Sequence, residues 1–418
     1  MAWQAWILET ARRTKEISLK APNFTGVQKS AFLLNLAENI EKKREIIKKA
    51  NLLDIKKAKT KNFSDAFIDR LALTDKRIDK MAEAVRIVEK LPDPVGKIIW
   101  KTERPNGLRI ERVRTPIGVI GIIYESRPDV TVEAGILCIK AGNCIILRGG
   151  KEAVNSNKIL VKILKESLMD ASLPEEMINL ISTGGRKSVR YLLSLSGYLD
   201  LVIPRGGESL IEAVVKYSRV PVIKHYKGIC HTYVDKDADI EMALKVSANA
   251  KIQRPSTCNA METLLVHKDI AGSFLPVMAQ IFRKEKVEIR GCEKTRKIIP
   301  QVKEATEKDW ETEYLDLVIA IKIVDSAEEA IRHINRYGTL HSESIISNNR
   351  EIASKFLKEV DAAAVFHNAS TRFTDGGEFG LGAEIGISTD KIHARGPMGL
   401  EELTTYKYLV HGHGQIRQ

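Results

Sequence analysis

The stretch Ile117-Gly118-Val119-Ile120-Gly121-Ile122-Ile123 decides the fold class. It is a short, continuous apolar run with no polar alternation, the pattern of a parallel strand buried on both faces. Three more runs repeat it: Cys144 to Leu147, Ile178 to Ser182 and Leu199 to Ile203. The segments Ser156 to Met169 and Ser209 to Tyr217 read as crossover helices between them. A doubly wound α/β sheet is therefore predicted for this part of the chain.

Toward the N-terminus the first hundred residues read as helices. Apolar residues recur three and four apart from Ala31 through Ile40 and from Ile78 through Val88, and Leu91-Pro92-Asp93-Pro94 ends the run. Gly107 to Arg114 alternates apolar and charged side chains, the pattern of a strand with one face wet or held by a partner. Toward the C-terminus a second alternation of elements starts near Asp239. It includes strands over Leu315 to Ile323 and Ala362 to Phe366 and a helix over Ala327 to Tyr337, which predicts a second α/β domain. Thr404 to His411 reads as a last strand, and no internal repeat or low-complexity segment interrupts the chain.

Length and composition agree with two domains, since 418 residues exceed the ~250–300 at which one core stops growing. The chain is 44% apolar but has no uninterrupted run near the ~20 residues of a membrane span. Met1 to Lys20 lacks the compact apolar centre of a signal peptide, so a cytoplasmic protein is expected. Five cysteines, an odd number thinly spread, make no disulfide framework and point to a reducing compartment. Cys138 and Cys144 flank an apolar, strand-like run, Cys230 and Cys292 are expected to pack, and no Cys-x-x-Cys spacing implies a metal. The net charge of +12 is spread along amphipathic helices such as Glu41 to Lys57 rather than gathered in one arm. No zinc-finger, homeodomain-like or base-stacking pattern accompanies it, so the field is expected to draw small anions rather than nucleic acid.

Chemistry concentrates in the window Lys251-Ile252-Gln253-Arg254-Pro255-Ser256-Thr257-Cys258-Asn259-Ala260-Met261-Glu262-Thr263. Cys258 sits there in a polar, cationic, turn-prone setting. A thiol reacts as its thiolate, and Arg254 or a helix beginning after the Pro255-Ser256-Thr257 turn would lower its pKa. A buried, inert cysteine is the alternative from this window alone. A cofactor cradle of the Gly-x-Gly-x-x-Gly form is not found. Instead Arg205-Gly206-Gly207 follows a strand and opens a helix, where backbone N–H groups face an anion, and Arg148-Gly149-Gly150-Lys151 repeats the arrangement.

Long stretches of the chain match one family. They are Thr115 to Gly118 continuing through Tyr124-Glu125-Ser126-Arg127-Pro128, Leu147 to Gly150, Val202 to Gly207, the cysteine window, Asn368 to Gly377, His393 to Leu400, and Leu403 to Lys407. In these the chain resembles, essentially end to end, the gamma-glutamyl phosphate reductases (glutamate-5-semialdehyde dehydrogenases), a branch of the aldehyde dehydrogenase superfamily. The resemblance implies an α/β, aldehyde dehydrogenase-like fold with three parts. A doubly wound cofactor-binding domain spans 1–100 and 116–237, an α/β catalytic domain spans 238–390, and a small β oligomerisation flap comprises 101–115 and 403–418.

The activity implied is NADPH-dependent reduction of L-glutamyl 5-phosphate to L-glutamate 5-semialdehyde and phosphate, through a thioester on Cys258. Ser126 or Arg127, with the backbone amide of Cys258 or Asn259, would hold the oxyanion. Arg205, Gly206 and Gly207 would take the cofactor pyrophosphate, and Arg148, Gly149, Gly150 and Lys151 the adenosine ribose. Two cations at that ribose suit a 2′-phosphate and hence NADP(H), while adjacent Glu152 is the alternative occupant of the ribose site. Glu313 would hold the nicotinamide ribose. Arg127, Asn368, Ser370, Thr371 and Arg372 would contact substrate, with a hydrogen-bonded turn equally open for Asn368. Aldehyde-oxidising relatives carry a glutamate base in a Glu-Leu-Gly-Gly-like segment, but Val222 to Cys230 holds no carboxylate. Lys224 and His225 there would attract phosphate or lie on the surface. The implied partners are further copies of the chain, and the labile acyl phosphate makes glutamate 5-kinase a candidate for a transfer contact.

Overall fold

In a computed structural model, which describes residues 2–417, the strand Val119–Tyr124 is buried at all six positions. It pairs in parallel with Cys144–Arg148 on one side and Leu201–Arg205 on the other, and Ile178–Leu180 completes a four-stranded sheet. Enclosure of both faces is why these strands carry no polar alternation. The crossover helices are Val154–Asp170 and Glu208–Tyr217, joined by Asp129–Lys140 and Gly185–Leu193. Ten of the twelve residues of Asp129–Lys140 are buried, so this helix lacks the one-sided stripe that would announce it in sequence. It also overturns the strand-like reading between Cys138 and Cys144. Cys138 is helical and only Cys144 enters a strand, after a turn at Gly142, whose φ is +77°.

The N-terminal region is helical as expected, over Ala2–Ser18, Gly26–Lys42, Arg44–Thr60, Asp65–Leu71 and Asp75–Lys90. Thr25 forms a capping box with Gln28, and Ser64 and Thr74 cap Asp65–Leu71 and Asp75–Lys90. One cap crosses between helices. The Asp54 carboxylate accepts from the Asn155 and Ser156 N–H groups (3.2 and 2.8 Å), capping Val154–Asp170 and fixing the end of the turn after Arg148. Strands Ile98–Glu103, Arg109–Pro116 and Thr404–His411 form a separate antiparallel sheet in this unit, which comprises Met1–Lys224, Gly380–Gly386 and Met398–Gln418.

The second unit comprises His225–Phe379 and Ile387–Pro397. Its seven-stranded parallel sheet runs Lys303–Glu304, Glu288–Gly291, Val318–Val324, Met261–His267, Cys230–Val234, Ser342–Ile346, Ala364–His367. Cys230–Val234 thus belongs to this sheet, ahead of the expected boundary at 237/238. The strand expected from Leu315 starts only at Val318. Leu315 has φ +53° and gives its N–H to Glu262 Oε1 (3.2 Å), so Leu315, Asp316 and Leu317 are spent on a turn. Leu264, Val266, Phe274, Leu275, Met278 and Phe282 are fully enclosed between the sheet and the helix Lys268–Lys284, each contributing roughly 1.5–3 kcal/mol by burial. Among the described residues no helix is long and apolar enough to cross a membrane.

Candidate active site

Cys258 lies in the second unit, between the helix Ile240–Ile252 and the strand Met261–His267. The expected helix after Thr257 does not form. All seven residues of Met261–His267 are buried in the sheet, and that demand outweighs local helical patterning. No helix N-terminus therefore serves the thiol, and side-chain cations take its place. Arg372 donates from Nε to Gln253 Oε1 and from Nη1 to Thr257 Oγ1, both at 2.9 Å, which carries its charge to the residue before Cys258. Burial lowers the Arg372 pKa, the neighbouring Arg254 cation adds to that, and the Cys258 sulfur opposes it. Cys258 is half-buried, and so is Cys292, which packs on the core from the start of the helix Glu293–Ile298, whereas Cys138, Cys144 and Cys230 are enclosed. Burial pushes those three thiols up, Cys144 to about 12. Such thiols are inert at neutral pH.

The substrate residues expected after Phe366 divide by role. Thr371 donates to the Asn259 carbonyl (2.7 Å), Asn259 donates to the Thr374 carbonyl (2.9 Å), and Ser370 Oγ accepts from the Arg372 N–H (3.3 Å). These side chains fix the turn that carries Cys258 and Arg372. Asn368, at φ +56°, accepts from the Ser347 N–H (2.9 Å) and donates to its carbonyl (3.2 Å). Of its two sequence readings, the hydrogen-bonded turn is the geometry found. Only Arg372 of this group is brought beside the thiol's own loop as a charge.

The segment from His225 packs on the cysteine. A Cβ added to Gly228 would stand 1.7 Å from the Cys258 carbonyl oxygen, so only glycine permits this approach. Glu313 holds the same glycine by accepting its N–H (2.7 Å), and Thr339 Oγ1 accepts the next N–H (3.0 Å). His225 is consequently no surface residue. One of its ring nitrogens, one of His341 and the Cys258 sulfur lie within 4.8 Å of one another. His341 is wholly buried, which drops its pKa to about 3, with His225 adding to the effect. Nothing in Thr339-Leu340-His341-Ser342 announced it, because its neighbours come from other strands. Glu262 also lies in this unit, but it is buried in an ion pair with Lys251 (2.7 Å) and burial raises its pKa to about 7.

In the first unit the Arg205-Gly206-Gly207 turn joins its strand to Glu208–Tyr217 with Gly207 as N-cap. The Gly207 N–H donates to Glu125 Oε2 (2.9 Å), so the turn already receives an anionic oxygen. Ser126 is buried beside it, and exposed Arg127 approaches Asp129 at 3.7 Å. Arg148 donates from Nε to Ser188 Oγ (3.3 Å), from Nη2 to the Gly185 carbonyl (3.2 Å), and from Nη1 to the Gly149 carbonyl. Its guanidinium thus ties its own turn to the next one, Gly184-Gly185-Arg186-Lys187. Gly149 is closely packed on Asn157 and Tyr124, while the Glu152 carboxylate folds back over Gly150. Lys151, Arg186 and Lys187 are exposed, and nothing lies within 4 Å of a Cβ added at Gly185. Sequence reasoning passed over Gly184 to Lys187, although glycines and cations at a helix start are the signal used at Arg205. The open turn at Gly185, the exposed cations Lys151, Arg186 and Lys187, and a Gly207 N–H that already receives a carboxylate oxygen fit a phosphate-rich dinucleotide.

Two parallel-sheet α/β units, one with glycine and cation turns at helix starts and the other with a half-buried cysteine, define a member of the aldehyde dehydrogenase family. The model of that family matches residues 6–316, and an acetylating aldehyde dehydrogenase from Geobacillus thermoglucosidasius shares the fold. That match has a TM-score of 0.70 at 15% identity, covering 100% of this chain and 98% of that one. Over 408 residues, 98% of each chain, the protein is 53% identical to a gamma-glutamyl phosphate reductase of Halothermothrix orenii. The crystal structure of gamma-glutamyl phosphate reductase from Thermotoga maritima matches with a TM-score of 0.97 and 52% identity over 99% of this chain and 100% of that one. The chain belongs to the gamma-glutamyl phosphate reductases, oxidoreductases of proline biosynthesis also called glutamate-5-semialdehyde dehydrogenases.

Proposed function

We propose that the chain reduces L-glutamyl 5-phosphate with NADPH through a thioester on Cys258. The setting of Cys258 carries this reading: a half-buried thiol beside the Arg372 cation, with imidazoles within reach and no carboxylate from Val222 to Cys230. The thiolate attacks the acyl carbon and the C–O bond to phosphate breaks, with Arg372 favouring both anions. Ser126 or Arg127 and a backbone amide are assigned to the oxyanion. Bound NADPH supplies the hydride that releases the aldehyde. Without a carboxylate to activate water, the thioester is kept for hydride in one direction and for phosphate in the other.

For the cofactor, Lys151, Arg186 and Lys187 are assigned to the 2′-phosphate, Arg148 to holding their two turns together, and Gly206 and Gly207 to the pyrophosphate. Glu125 then leaves the Gly207 N–H on binding. Glu313 is assigned to the nicotinamide ribose. The antiparallel sheet, with exposed Trp100, Tyr406, Tyr408 and Val410, is assigned to contact between copies of the chain. A free catalytic thiol suits the reducing cytoplasm.

The test runs in reverse, because the acyl phosphate is unstable. NADP+, glutamate 5-semialdehyde and inorganic phosphate should yield NADPH at a rate that rises with phosphate and falls to a single-turnover burst without it. Cys258→Ala should abolish turnover while NADPH affinity stays within about threefold, since the thiol is needed for chemistry and not for cofactor binding. Sustained turnover without phosphate, or an active alanine variant, refutes the mechanism.

A further inference from the structure

We propose that Cys258, His225 and His341 form a binding site for zinc(II), and that its occupancy reversibly blocks the enzyme. The three ligand atoms already lie within 4.8 Å of one another, inside one compact unit. At Zn–S and Zn–N lengths of ~2.3 and ~2.0–2.1 Å, tetrahedral ligands stand roughly 3.3–3.6 Å apart. The half-buried Cys258 and His225 therefore need to close by about 1 Å onto the fixed His341.

The hydrogen bonds set both rings for this. His225 Nδ1 lies 2.9 Å from the Ile387 carbonyl, which can only accept, so the proton is on Nδ1 and the lone pair on Nε2. At His341, Nδ1 lies 2.8 Å from Ser342 Oγ, whose own hydroxyl donates to Thr374 Oγ1 (2.6 Å). Nδ1 must then be the donor, and Nε2 again carries the lone pair. That Nε2 is buried and has no hydrogen-bond partner, an acceptor left without a donor in the interior. Histidines that ligate metals hold their second nitrogen on a protein acceptor in this way.

On binding, Cys258 Sγ–H releases its proton to solvent, and the thiolate and two neutral imidazoles leave a net charge of +1 and a fourth position for water. One thiolate with two imidazoles selects zinc over magnesium or calcium, which prefer oxygen. Ligation occupies the same sulfur that the proposed reaction needs. The proposal shares Cys258 with that reading but is tested without turnover.

Cobalt(II) is the probe, added to the full-length, cofactor-free chain. One equivalent should produce a thiolate-to-cobalt charge-transfer band in the near ultraviolet with tetrahedral visible bands, and zinc should displace it. Zinc should also protect Cys258 from iodoacetamide, and EDTA should restore labelling. His341→Gln should weaken cobalt binding by at least about 100-fold, because even outer partners of a site are worth ~10–100-fold. Should that core substitution unfold the chain by circular dichroism, His225→Ala at a half-exposed position must show the same loss. No band in the unmodified protein, or an undiminished band in a folded His225→Ala variant, overturns the site. Cys258 that labels readily yet binds no cobalt leaves the nucleophile reading standing, whereas Cys258 that resists labelling without metal counts against that reading instead.

Discussion

At the scale of the residue, the surroundings of a side chain set what it can reach. The Arg148 guanidinium bonds the Gly149 and Gly185 carbonyls and Ser188. Lys151, by contrast, stands exposed. Charge reversal there tests cofactor choice. Lys151→Glu should weaken NADPH by about 1–3 kcal/mol, the range for hydrogen bonds to charged groups, and leave NADH little changed. Fluorescence titration with each cofactor measures this, and an equal loss for both would remove Lys151 from the 2′-phosphate. His225 shows the converse. It is one residue beyond Lys224 in a cationic segment, and only the packing of Gly228 on the Cys258 carbonyl turns it toward the sulfur.

At the scale of the element, one-sided helices and strands keep their sequence period, whereas a helix enclosed on nearly all sides leaves none to find. Ala327–Tyr337 and Thr404–His411 coincide with their sequence bounds. In the latter, Tyr406, Tyr408 and Val410 recur every second residue, stay exposed, and share a sheet with Trp100. If this sheet joins copies of the chain, a charge in the row should separate them. Tyr408→Asp combined with Val410→Asp should shift the light-scattering mass to that of one chain while iodoacetamide still labels Cys258. An unchanged multimer would place the contact elsewhere.

At the scale of the molecule, buried titratable groups link folding to pH. Burial presses His333 to about 2 and His341 to about 3, against ~6.5 in an unfolded chain. Between those values the unfolded chain binds two protons that the folded chain refuses, so this stability is present above ~6.5 and is lost as pH falls. Glu262 acts oppositely. Its raised value of about 7 gives stability that is present below ~4.5 and lost as pH rises toward 7. Burial raises Glu133 and Glu343 as well, so from ~6.5 to ~4.5 these carboxyls and Glu262 offset the histidines, and below ~4.5, where the unfolded chain protonates its carboxylates too, the histidine loss is unopposed at about 1.4 kcal/mol per pH unit for each. Urea midpoints followed by circular dichroism from pH 7 to 3.5 should fall most steeply below ~4.5. A flat profile would mean that His333 and His341 protonate without unfolding.

Sequence by itself determined the two α/β units, because buried parallel strands need continuous apolar runs and the chain supplies them from Ile117 and again beyond Asp239. It also offered Cys258 as the candidate nucleophile, since it lies in a polar, cationic turn whereas Cys138 and Cys144 adjoin apolar runs. Arg205-Gly206-Gly207 was legible for a similar reason: its glycines and the helix start adjoin in the chain. Only the tertiary structure decided what surrounds Cys258. Arg372, His225 and His341 come from three distant segments and converge there through parallel pairing of Cys230–Val234 with Met261–His267 and with Ser342–Ile346. Local pattern carries no record of such pairing. The same limit hid the helix Asp129–Lys140, whose burial on nearly all sides erases its period, and the turn at Leu315, whose bond to Glu262 spans more than fifty residues.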